Sequence, residues 1–162
     1  MHKLPLIDAW FGGDSVEGID AALASAASSG DGQTPAAQFA RALLTELRRG
    51  SPTSLKVGFQ AMRRNRNLSL RDCLCTEFRL VTRFMAGPDF FEGVKAQLVD
   101  KTGQPRWQPG SLAEVSDKAV EAYFAPLPGG EEQELQLGGA TQPQATPAEK
   151  KAPARGRPRS KL

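Results

Sequence analysis

The chain reads as mainly α, with five to six helices in residues 1–125 and a disordered tail over residues 126–162. Three observations predict this class. Hydroxyl side chains able to accept from unpaired amides stand just ahead of apolar runs, at Ser15, Thr34, Ser51, Ser69 and Ser116. The apolar residues behind them recur at three and four positions, the repeat of one helix face. No run alternates with a period of two, as a half-buried strand would.

Each element has its own justification. Ser15 caps a helix carrying Val16, Ile19 and Leu23, weakened by Gly18. Loop residues dominate from Ser28 to Gly32. Thr34-Pro35 opens the next helix, because proline has no N–H to leave unpaired at the first position. Phe39, Ala40, Leu43 and Leu47 follow, and Arg48, Arg49 and Gly50 close it. Ser51-Pro52 repeats the signal, with Leu55, Phe59 and Met62 as the expected apolar face. The Arg63-Arg64-Asn65-Arg66 run that follows is read as a solvated helix end rather than a phosphate site.

Ser69 and Asp72 have the spacing of a capping box. The helix they open carries the clearest apolar stripe in the chain: Leu70, Cys73, Leu74, Phe78, Val81 and Phe84 or Met85. Gly87 ends it. Asp89 and Glu92 again have capping-box spacing, with Val94 and Leu98 as the buried side. Thr102 to Gly110, with two prolines and Trp107, is expected to be extended and ordered. Ser116 caps a last helix showing Val120, Tyr123 and Phe124.

Past Phe124 the composition shifts. Six of the twelve prolines lie in residues 126–162, among Gly, Gln, Ala and Thr, too little apolar surface to offset chain entropy. That segment holds six Lys/Arg against four Asp/Glu, so the body carries only +1 of the chain's +3. A nearly neutral body gives no electrostatic ground for binding nucleic acid. Nothing approaches the roughly 18 consecutive apolar residues of a membrane span.

The residue chemistry shows no active site. His2 is the only histidine, so a Ser/His/Asp or Cys/His nucleophile system lacks its base. Cys73 and Cys75 point in different directions on a helix and have no companions for a zinc site. They are read as reduced structural thiols, Cys73 buried and Cys75 more peripheral, as suits an intracellular protein. Asp89 and Glu92 are read as capping groups, and Glu77 as facing Arg79, Arg83 or solvent. No catalytic residue and no metal ligand is assigned.

Several blocks then carry a resemblance, in order. They are Ile7-Asp8-Ala9-Trp10-Phe11 with Ser15-Val16-Glu17, Ser51 to Lys56, and Leu70 to Leu74 leading into Thr76-Glu77-Phe78-Arg79-Leu80. Asp89-Phe90-Phe91-Glu92-Gly93-Val94-Lys95-Ala96 follows, with Leu98-Val99-Asp100-Lys101, then Pro105-Arg106-Trp107-Gln108-Pro109 and Tyr123-Phe124. Over about residues 4–125 the chain resembles the C-terminal third of 3-hydroxyisobutyryl-CoA hydrolases, in the enoyl-CoA hydratase/isomerase (crotonase) superfamily. The resemblance implies hydrolysis of an acyl-CoA thioester in valine catabolism, with acyl-CoA as substrate and no cofactor. It also implies that the oxyanion-hole core precedes the matched part, so the chain is expected to be truncated at its start or shortened, and inactive alone. Lys101 matches a lysine that lies near the CoA nucleotide in related proteins, and Phe84 is the aromatic expected at the adenine end. Homo- or hetero-oligomers with crotonase-family subunits are expected partners. Two alternatives stand beside this reading: a non-catalytic helical module docking on a full-length relative, and a DNA-associated protein.

The tail motivates the last two expectations. Ser160-Lys161-Leu162 has the form read by the peroxisomal import receptor, which places the chain in the peroxisome. Arg155-Gly156-Arg157-Pro158-Arg159 resembles the core of an AT-hook, which lies in the minor groove of A·T-rich DNA.

Overall fold

A computed structural model describes residues 3–30 and 32–138. These form seven α-helices and, among the described residues, no strand. The α-helices are α1 (Leu4–Phe11), α2 (Val16–Ala27), α3 (Pro35–Arg49), α4 (Pro52–Asn65), α5 (Leu70–Ala86), α6 (Pro88–Val94) and α7 (Asp117–Phe124). The capping expectations hold at five starts. Ser15, Thr34, Ser51, Ser69 and Ser116 accept from the backbone amides of Gly18, Ala37, Ser54, Asp72 and Ala119 at 3.0–3.2 Å. The helix without a sequence forecast is α1, which has Pro5 in its first turn and no side-chain cap. It is held by Trp10 against Phe39, with ring centroids 5.9 Å apart, and by Lys3 over the same ring.

Two clusters divide the interior. In the first, α2 and α3 pack antiparallel: Arg48 grips Asp20 near one end and Arg41 donates to the Ala27 carbonyl at the other. Ile19, Leu23, Ala27 and Ala40 are buried between them, with Trp10 and Phe59 at the edges. In the second, Val57 and Ala61 of α4, Leu80 of α5, Val120 of α7 and Val115 close on one another, flanked by Phe84, Tyr123 and Phe124. Lys56 bridges the two, bonding Glu17 at 2.7 Å and the Val115 carbonyl at 2.8 Å.

Three expectations about which side is buried are corrected. On α4 the buried residues are Pro52, Thr53, Val57 and Ala61, whereas Met62 is exposed. On α5, Leu80 is buried, while Leu70, Leu74, Phe78, Val81 and Met85 of the apolar stripe face outward. After α6 the backbone widens into a π-helical turn, Lys95–Val99, with Asp100 N–H bonded to the Lys95 carbonyl at 2.8 Å. That extra residue per turn rotates the register, so Ala96 is buried and Leu98 is 69% exposed.

The chain beyond Phe124 also packs further than expected. Disorder was the expectation from residue 126, yet residues 126–138 return along α5 and Leu127 is buried. Arg71 and Arg79 of α5 bond the Leu137 carbonyl and the Glu134 carboxylate. Leu127, Leu135 and Leu137 are the few apolar residues in this stretch, and they suffice with these polar contacts to seat it.

Candidate functional site

The outward apolar stripe of α5 belongs to a groove. Gly50, Ser51 and Ser54 at the α3–α4 junction, Val81, Phe84 and Met85 of α5, Phe90, Gly93 and Val94 of α6, and Trp107 line a cleft of about 540 Å³. It continues past Ser54, Val81 and Phe84 into a second cleft of about 500 Å³, between Met62 and Asn65 of α4 and Glu77 and Leu80 of α5. No single helix builds this groove. It forms because α5 packs on α4 and α7 through Leu80 and leaves its next side chain, Val81, facing out at 56% exposed.

One carboxylate stands in the apolar cleft. Asp89 is 9% exposed; its Oδ2 accepts from the Ser51 hydroxyl at 2.6 Å and its Oδ1 from the Gln108 amide at 2.9 Å. The helix-capping role expected of Asp89 and Glu92 is therefore corrected. Gly87 occupies the N-cap position, and Glu92 accepts from the Arg106 amide at 2.8 Å. Both acids reach forward to hold the extended segment after Lys101 against α6, where buried polar groups need partners more than the helix start does. Trp107 completes the seam. Its Nε1 donates to the Arg49 carbonyl at 2.9 Å, and its ring lies 3.1 Å from where a Cβ on Gly93 would sit.

Phe84 and Lys101 are not brought together around one cleft. Phe84 lines both parts of the groove and stacks obliquely on Tyr123, centroids 4.7 Å apart. Burial raises the Tyr123 phenol above its usual pKa; the Asp89 charge adds to this and Arg83 opposes it. Lys101 is exposed just past the π-helical turn, in a left-handed conformation (φ 52°), and lines neither cleft. Glu77 is exposed on the groove's edge. Arg79 and Arg83 instead engage Glu134 and the carbonyls at the end of α7. Cys73 and Cys75 are free and both half-buried, so they do not differ in the way expected. His2, Arg155–Arg159 and Ser160, Lys161 and Leu162 lie outside the described residues.

The described residues include no histidine, and the Ser51 hydroxyl beside Asp89 caps α4 through the Ser54 amide. The described residues also include no group of three or more His, Cys, Asp or Glu that could hold a metal, and no helix long and apolar enough to cross a membrane. The groove offers apolar surface with one fixed carboxylate. What it resembles is decided by comparison. The sequence model of the enoyl-CoA hydratase/isomerase family matches residues 1–124. The chain belongs to that family.

Its relatives are longer. The chain is similar to the mitochondrial 3-hydroxyisobutyryl-CoA hydrolase of Gallus gallus, 45% identical over 89 residues, which are 55% of this chain and 23% of that protein. It is also similar to the small ribosomal subunit protein mS47 of Arabidopsis thaliana, 37% identical over 78% of this chain and 30% of that protein. Among solved structures, an enoyl-CoA hydratase from Rhodobacter sphaeroides 2.4.1 superposes with a TM-score of 0.66 at 30% identity, covering 85% of this chain and 38% of that one. A carnitinyl-CoA dehydratase from Mycobacterium thermoresistibile gives 0.62 at 38% identity, over 76% of this chain and 33% of that one. The chain thus spans between 23% and 38% of the lengths of these proteins.

These relatives overturn the peroxisomal expectation. The hydrolases of Gallus gallus, Dictyostelium discoideum and Xenopus tropicalis are named mitochondrial. A terminal tripeptide is too short a signal to set against similarity running over most of the helical region.

Proposed function

We propose that this chain is the C-terminal helical part of a 3-hydroxyisobutyryl-CoA hydrolase-like protein, whose α4–α5–α6 groove covers an acyl-CoA pocket built by a separate catalytic core. The observation that carries the reading is the outward apolar face of α5 and α6 in a chain belonging to an acyl-CoA family. Covering Leu74, Phe78, Val81, Met85, Phe90 and Val94 gains up to roughly 1.5–3 kcal/mol for each side chain fully buried. A crotonase-type core is the occupant because the relatives carry more than two-thirds of their length outside the matched region.

In this reading the core supplies the amides that stabilise the thioester oxyanion, the largest contribution to such chemistry. The groove supplies a dry wall. Phe84, at the junction of the two clefts, contacts the CoA moiety, and Lys101 approaches its phosphates as a mobile cation. The product is the free hydroxy acid, as in valine catabolism, and the mitochondrion of the named relatives is the compartment. Oligomers form through the same helices.

The test is complementation. The chain is mixed with the N-terminal two-thirds of the chicken hydrolase and assayed on 3-hydroxyisobutyryl-CoA. Association and restored hydrolysis are expected, with no turnover by the chain alone. Hydrolysis by the isolated chain, or failure of the two parts to co-elute, overturns the proposal. The match to mS47 favours a second reading, in which the helices serve a larger assembly without turnover; co-sedimentation with ribosomal particles distinguishes it.

A further inference from the structure

We infer that residues 125–138 form a latch on α5, beyond the family-matched residues, which fixes the end of α7 and through it the Phe84 wall of the groove. The family model ends at residue 124, so this segment lies outside the family-matched residues. Arg71, Cys75, Arg79 and Arg83 are spaced by four along α5 and therefore share one face. The returning chain meets them in reverse order. Arg83 donates through Nε to the Ala122 carbonyl at 2.5 Å and through Nη2 to the carbonyls of Ala125 at 2.9 Å and Pro126 at 3.0 Å. Arg79 reaches the Phe124 carbonyl at 3.5 Å and the Glu134 carboxylate at 2.7 Å. Cys75 Sγ lies 3.9 Å from the Leu135 carbonyl, and Arg71 donates to the Leu137 carbonyl at 3.0 Å.

Two functions are combined here. The last carbonyls of a helix have no partner within it, and for α7 the guanidinium groups of Arg83 and Arg79 supply them. Glu134 then clasps the segment from both sides. Its Oε2 takes the Arg79 bond and its Oε1 accepts from the Leu127 amide at 2.8 Å, closing the turn through Gly130. Tyr123, at the gripped end of α7, packs against Phe84, and Phe124 beside it packs on the same buried cluster. Releasing Glu134 therefore loosens the turn, then the α7 end, then one wall of the groove. This inference does not depend on what the groove covers.

Amide hydrogen exchange on the full chain, read by mass spectrometry, tests it. Glu134→Gln is expected to speed exchange across residues 127–137 roughly fivefold to tenfold, the scale of one ordinary hydrogen bond, and to speed the last turn of α7 less. Ending the chain after Pro126 speeds the last turn of α7 more strongly. In both variants α2 and α3 keep their protection. Glu132→Gln removes a neighbouring exposed charge and leaves exchange unchanged. Unaltered exchange at the end of α7 in the shortened chain overturns the latch. So does acceleration spread equally over α2 and α3, or an equal response to Glu132→Gln.

Discussion

Asp89 and Ser51 stand 38 positions apart, yet their side chains share a 2.6 Å hydrogen bond that fastens the start of α4 to α6. The same hydroxyl accepts from the Ser54 amide, so one oxygen both caps α4 and holds α6. The other carboxylate oxygen holds the Gln108 amide, and three separate stretches of chain meet at one buried acid.

Replacing Asp89 with Ala strands the Ser51 hydroxyl and the Gln108 amide together. The expected loss is about 1–3 kcal/mol, chiefly from the buried Ser51 hydroxyl left without its partner, since water can reach the part-buried Gln108 amide. Urea unfolding of Asp89→Ala measures it. A loss under about 0.5 kcal/mol would mean the network adds nothing.

Two glycines of the groove predict opposite outcomes. Gly93→Ala sets a methyl group 3.1 Å from the Trp107 ring, and that ring is tethered by its bond to Arg49. The helix gains up to about 1 kcal/mol in propensity, but overpacking costs about 1–3 kcal/mol, so net destabilisation and a shifted Trp107 emission are expected. Gly58 lies within α4 with open space where its Cβ would be. Gly58→Ala should raise the unfolding midpoint, by about 0.5–1 kcal/mol in stability.

Glu17 makes stability pH-dependent. Its hydrogen bond to Lys56 outweighs the burial that would raise its pKa, so the folded-state value is below the ordinary one. The folded form therefore holds the carboxylate more readily than the unfolded chain does. The resulting stabilisation is complete above the ordinary carboxylate pKa and is lost as pH falls through the lowered folded value. Because Glu17 is 42% exposed, solvent screening limits the effect to less than about 1 kcal/mol. Urea midpoints between neutral and acid pH should fall less steeply in Glu17→Gln than in the parent.

The outward stripe of α5 separates association from stability. Leu74→Gln with Val81→Gln removes exposed apolar surface, and sedimentation velocity should show less self-association with an unchanged urea midpoint. Leu80→Ala, one residue away and 5% exposed, should instead cost about 2–5 kcal/mol. Equal effects from both would contradict the packing direction of α5.

Helix starts were legible because a cap is local. Ser15, Thr34, Ser51, Ser69 and Ser116 need only a hydroxyl three residues ahead of an amide, and all five cap as read. Direction of burial was not local. Leu70, Leu74, Phe78, Val81 and Met85 form a true helical stripe, and periodicity alone cannot distinguish a stripe that faces its own chain from one that faces another body. Leu98 was misplaced because a π-helical turn leaves no mark on composition. The seat of residues 126–138 was hidden for a related reason: Arg79 and Arg83 were expected to face Glu77, whereas their partners Glu134 and the α7 carbonyls are 39 to 55 residues away along the chain. Asp89 was noticed for its position near a helix start, while its partners at Ser51 and Gln108 are distant in sequence.

Leu23 and Val57 are each fully sealed, and they sit in different clusters, linked by Phe59 and by the reach of Lys56. Cohesion in this molecule is therefore held in two parcels. A substitution at Leu23 and one at Val57 strike separate clusters, and their effects on the urea midpoint are expected to add.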